Sequence, residues 1–154
     1  MGFDDDIAIL AAAPVFGFLD EAALRLLTFA GERHPLSPGG ILFRRGDRAD
    51  AGYVVMSGQI ALAPRGQGAL VLAGPSALIG RNALFVVGRR PSEATAAAAS
   101  EVMRISAQLM GRVLREFPEA AAAIHRWLAD DLLDLTRDLG SVREMLVDRA
   151  PTGP

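Results

Sequence analysis

The sequence predicts an α+β domain, mainly β with flanking helices, in which short antiparallel strands form a jelly-roll-like sandwich or barrel. Three observations predict it. Residues 1–33 read as short helices. Between 34 and 105, Pro35, Pro38, Gly39, Gly40, Gly46, Gly52, Gly58, Pro64, Gly66, Gly68, Gly74 and Pro75 cut the chain into brief apolar runs such as Tyr53-Val54-Val55-Met56. Over 106–147 this punctuation gives way to a helical pattern with leucines at spacings of three and four.

The 154 residues suit one domain, and 51% hydrophobic with only 6% aromatic residues implies an aliphatic core. Sixteen basic against 18 acidic residues leave a net charge of −2, which sets up no field for a nucleic acid. With no cysteine, disulfide scaffolds, zinc ribbons and thiol catalysis are excluded. At the N-terminus Asp4-Asp5-Asp6 stands where a signal peptide needs positive charge. The apolar run Ile7–Ala13 is too short for a membrane span, so a cytoplasmic, non-membrane protein is expected.

In chain order, an apolar helical segment ends at Pro14. A second helix starts at Asp20, whose carboxylate can accept from the free first-turn amides while Leu19 staples onto Leu24, and Gly31 closes it. The strand runs follow as Ile41-Leu42-Phe43, Tyr53–Met56, Gln59–Ala63, Ala69–Ala73 and Val102–Ile105. Ser106 can cap a helix reaching Phe117, and Pro118 suits the first turn of another.

In that last helix Leu128, Leu132, Leu135, Leu139, Val142 and Leu146 form a coiled-coil seam, which predicts a homodimer. The competing reading lays the helix on its own barrel through Ile124 and Trp127, which stand off the seam. Asp130, Asp134 and Asp138, with Arg126 and Arg137 beside them, read as the solvated flank. Neither His34 nor His125 belongs to a metal-ligand pattern, and Ser57 has no nucleophile-elbow context, so a non-enzyme is expected.

Three stretches carry a family resemblance. Ala13-Pro14-Val15-Phe16 with Leu19, the Gly39 to Gly46-Asp47 turn, and Tyr53–Ile60 around Ser57-Gly58 are similar, in order, to the cyclic nucleotide-binding domain of bacterial cAMP-receptor regulators, kinase regulatory subunits and gated channels. The resemblance implies a β-roll, or double-stranded β-helix, with N-terminal helices and a long C-terminal helix. It implies a regulatory or sensory module taking a cyclic nucleotide or another phosphate-bearing small molecule.

The resemblance also places a phosphate-binding cassette at 74–96, with Gly80, Ala83, Leu84, Pro91, Ala94 and Thr95 as retained scaffold. The candidate ligand-binding residues are Gly80, Arg81, Asn82, Ala83, Arg89, Arg90, Ser92, Glu93, Ala94 and Thr95. Relatives use a glutamate for the ribose hydroxyl and an arginine for the cyclic phosphate. Here Arg81, which only donates, stands for the first and Ser92 for the second. Each charge-assisted hydrogen bond lost costs about 1.5–3 kcal/mol, so lost or altered nucleotide binding is expected.

Arg89 or Arg90 can slide into the role Ser92 has left, and the amides after Gly80 can attract an anion. Arg81, Arg89 and Arg90 therefore admit three readings: a solvated turn, a displaced phosphate site, or contact with a separately encoded partner protein. Relatives that bind DNA carry a helix-turn-helix after the long helix. Its absence before Pro154 leads to the expectation of no direct DNA binding. The rival to a sensor is a ligand-free dimerisation or protein-interaction module.

Overall fold

In the computed structural model, which describes residues 2–63 and 69–130, two helices precede ten short strands and two helices follow them. The first helix, α1 (Phe3–Ala11), holds the Gly2 amide on the Asp5 carboxylate at 3.0 Å. Its Asp6 is buried and ion-paired with Arg33, which also bridges Glu101, so the acidic N-terminus docks on the sheet instead of standing free. The second, α2 (Glu21–Ala30), is capped as the sequence predicts: Asp20 Oδ1 accepts from the Ala23 amide at 2.9 Å. Gly31 ends it by turning to extended backbone at ψ 153°, and a Cβ there would lie 2.8 Å from the Leu27 carbonyl and 2.9 Å from Met103.

Strands β1 (Glu32–Leu36), β2 (Ile41–Phe43), β3 (Arg48–Ala49), β4 (Ala51–Ser57) and β5 (Ile60–Ala63) come before the cassette, with β6 (Val71–Ala73) leading into it. Strands β7 (Leu78–Ile79), β8 (Gly88–Arg89) and β9 (Glu93–Ala96) lie in it, and β10 (Ser100–Ser106) follows. All pairings are antiparallel. One sheet runs β1-β10-β4-β7, the other β2-β9-β5-β6, and β3 pairs with β8 as a separate ribbon. This is the expected antiparallel roll. The chain enters it at Glu32, two residues before the expected boundary, and Pro35 is tolerated because β1 is an edge strand.

Strand β4 is buried on both faces, and that explains its unbroken apolar sequence. Tyr53 and Val55 face the roll interior with Phe43, Ile60, Ala94 and Val102. Val54 and Met56 face outward into a second core of Leu10, Phe16, Leu27, Met103, Met110 and Ile124. That second core belongs to the helices. Helix α3 (Ala107–Glu116) begins at the predicted cap, with Ser106 Oγ accepting from the Leu109 amide at 3.0 Å. The chain breaks at Phe117, and α4 is helical over 118–130.

On α4, Ile124 is buried and Trp127 and Leu128 pack partly against the helix-side core, so this stretch lies on its own domain. The rest of the expected seam, Leu132, Leu135, Leu139, Val142 and Leu146, lies outside the described residues. No helix among the described residues is long and apolar enough to cross a membrane.

Candidate functional site

The cassette begins where Ser76 Oγ donates to the Ile9 carbonyl at 2.9 Å, tying it to α1. It then runs through β7 to Gly80, which adopts φ 74°, and into a single 3₁₀ turn, Arg81–Leu84. The turn has four residues, and its Ala83 amide bonds the Gly80 carbonyl at 3.0 Å, so the sequence-predicted anion-attracting helix end is reduced to one tight turn. Leu84 drives into the helix-side core at Gly52, where a Cβ would lie 2.9 Å from Leu84 Cδ2. Gly52 is a glycine for that reason.

The three arginines separate. Arg90 is held at its backbone by the Gly46-Asp47 turn: its amide donates to the Asp47 carbonyl at 2.8 Å, and its carbonyl accepts from the Gly46 amide at 2.9 Å. So fixed, its side chain turns inward and is only 4% exposed. The guanidinium lies 4.4 Å from the Phe43 ring centroid and 5.4 Å from that of Tyr53, and Nη2 donates to the Ala51 carbonyl at 2.7 Å. Nη1 passes over Gly80, 2.5 Å from where a Cβ would stand. Any side chain at residue 80 would have to displace the guanidinium and hold a left-handed backbone.

Arg89, the preceding residue and the last of β8, points the other way and reaches the Gly46 carbonyl at 3.4 Å from an exposed position. Arg81 lies 5.0 Å over the Trp127 ring, bridging the cassette to α4. Phe18 meets the same ring, its centroid 6.1 Å away.

A cavity of about 510 Å³ opens over these groups, lined by Arg81, Asn82, Val86, Arg89, Arg90 and Pro91 together with Ala49, Gly80, Ala83 and Gly88. Of the sequence candidates, Gly80, Arg81, Asn82, Ala83, Arg89 and Arg90 meet there; Ser92, Glu93, Ala94 and Thr95 do not line it. Ala94 is buried between the sheets, and Glu93 and Thr95 lie in β9 opposite Ala63 and Ala61. Sequence reasoning missed Ala49, Val86 and the ring pair Phe43 and Tyr53. The Gly46-Asp47 turn was the available signal, since it grips Arg90.

The electrostatics are one-sided. Among the described residues no carboxylate lines the cavity, and none lies in ion-pair range of Arg90. Burial lowers the Arg90 pKa from its ordinary value, with Tyr53, Asp50 and Asp47 opposing from a distance. Asp50 is instead engaged with Arg104 at 3.1 Å. Arg90 Nε is buried with no hydrogen-bond partner. A buried cation left partly unsatisfied is costly, and the Phe43 and Tyr53 rings and the Ala51 carbonyl offset part of that cost.

Comparison with known proteins agrees with this architecture. Residues 33–117 match the family model of the cyclic nucleotide-binding domain. A CRP-like cAMP-activated global transcriptional regulator of Mycobacterium tuberculosis is 26% identical over 138 residues, covering 87% of this chain. The chain spans 62% of that regulator's length.

Among solved structures, the N-terminal domain of a Streptomyces coelicolor transcriptional regulator superposes with a TM-score of 0.76 at 29% identity, covering 85% of this chain and 94% of that one. A cyclic nucleotide-binding-like protein from Brucella abortus gives a TM-score of 0.64 at 38% identity, covering 73% and 99%. These relatives are regulators and binding proteins, not enzymes. The chain belongs to the cyclic nucleotide-binding domain family.

Proposed function

We propose that this chain is a non-catalytic regulatory module in which the family's nucleotide site has been altered: the cavity persists, and Arg90 supplies the cation from a shifted position. The observation that carries this is a buried guanidinium that lines a cavity of about 510 Å³ and has no ion-pair partner among the described residues. In this reading an anionic ligand settles against Arg90 and biases α3 and α4 through Leu84, in the helix-side core, and through Arg81 on Trp127. It does so only by binding one helix arrangement more tightly than another. The response passes to a second copy through the leucine seam, or to a separately encoded partner, in the cytoplasm and without direct DNA contact.

A second reading has support of its own. Arg90 already bonds Ala51 and lies against two rings, so it also serves as a plug in a ligand-free dimerisation module. A thermal-shift screen with cAMP, cGMP and phosphorylated metabolites separates the two. Stabilisation that grows with ligand concentration supports the sensor; silence across the panel, with a dimer present, supports the scaffold.

A further inference from the structure

The lining of the cavity narrows the chemistry of its ligand. Arg89 and Arg90 bring two cations to it, Arg81 joins them from its place over Trp127, and among the described residues neither Asp nor Glu lines it. Guanidinium groups donate and never accept. A ligand rich in anionic oxygens therefore finds many donors. A cyclic phosphodiester is a monoanion with two free phosphoryl oxygens. A terminal phosphoryl group carries about −1.5 to −2 charge at neutral pH and three acceptor oxygens, and its geometry suits the arginine fork.

Size and shape restrict it further. The apolar part of the wall is Ala49, Ala83, Val86 and Pro91, and among the described residues no aromatic ring lines the cavity: Phe43 and Tyr53 lie against Arg90, and Trp127 lies under Arg81. Nothing there offers a platform on which a nucleobase can stack. The phosphoryl end is the recognised part.

We infer that the cavity takes a compact ligand bearing a terminal phosphoryl group, a phosphomonoester or diphosphate, in preference to a cyclic phosphodiester. This rests on the reading of the cavity as an anion site. Arg90 holds the phosphoryl oxygens from the buried side, while Arg81 and Arg89 contribute positive charge at the rim.

Titration calorimetry of the full chain with inorganic pyrophosphate, 5′-AMP and 3′,5′-cAMP tests it, because the two nucleotides differ only in the opened ring and the added charge. The expected result is saturable pyrophosphate binding and a Kd for 5′-AMP about tenfold or more below that for cAMP, as one added charge-assisted hydrogen bond provides. Arg81→Glu removes a rim cation and adds an acceptor, and should shrink or invert this ratio. Arg89→Ala, at an exposed position that leaves folding intact, should weaken 5′-AMP severalfold.

Equal or tighter binding of cAMP overturns the ligand class and leaves the anion site standing. A 5′-AMP preference that survives both substitutions unchanged also overturns it, since the rim cations then do not set it. If none of the three probes binds, the anion site itself falls.

Discussion

Gly58, between β4 and β5, and Gly80, between β7 and the 3₁₀ turn, both turn a corner of the roll and differ in what surrounds them. Both have positive φ, 83° and 74°, and both are overlain by another residue's polar group. At Gly58 that group is Ser100 Oγ, which accepts from the Gln59 amide at 3.0 Å and lies within donating distance of the Ala98 carbonyl at 2.8 Å. At Gly80 it is the Arg90 guanidinium, which leaves Nε unbonded and the charge without an ion pair among the described residues. One corner completes its hydrogen bonding within the fold; the other leaves part of it open. The Gly58 corner is closed by hydrogen bonds, and the Gly80 corner, which lines the cavity, is closed by a packed guanidinium.

Substitutions can break this contrast, and their expected effects descend in a definite order. Gly58→Ala puts a Cβ 2.4 Å from the Ala99 carbonyl and 2.7 Å from Ser100 Cα, which are backbone atoms unable to move aside. Strain and overpacking together should cost about 3 kcal/mol or more in urea denaturation. Gly80→Ala meets the end of a flexible side chain instead, so the left-handed backbone dominates and the loss should be about 1–2 kcal/mol. It should also displace Arg90 and weaken any anion-dependent rise in Tm.

Arg81→Ala removes the stacking on Trp127 and should cost about 0.5–1 kcal/mol from that contact. Trp127 is the sole tryptophan, so its fluorescence reports the change directly. The smallest shift in stability belongs to Arg90→Met. Loss of the bond to Ala51 is offset by removal of a desolvated charge, and the net change should stay within about 1 kcal/mol. Ligand-dependent stabilisation should disappear in the same variant. A large loss of stability with ligand response intact would mean that Arg90 is a plug and not a binding group.

The scaffold was legible because its signals are local. Asp20 and Ser106 cap their helices through amides three residues away, and Gly46 and Gly58 take the positive φ that tight corners demand. The runs Tyr53–Met56 and Val102–Ile105 became strands because their apolar residues are buried between or behind the sheets, while in Ile41–Phe43 only Phe43 is fully buried and Ile41 stands exposed. Short strands such as β3 and β8 were not legible, since two-residue ribbons have no periodicity to read. Their pairing depends on a partner far along the chain.

What the sequence determined by itself was the roll, its helical flanks, and the exchange of an acid for Arg81 and a base for Ser92 in the cassette. Which arginine turns inward was decided only in three dimensions. Neighbouring residues on an extended strand face opposite sides, so a shift of one position would exchange Arg89 with Arg90. The register that prevents this is set by long-range backbone bonds to Gly46 and Asp47, and by the absence of a side chain at Gly80. Contacts of that kind depend on the folded chain, and no local pattern of residues encodes them.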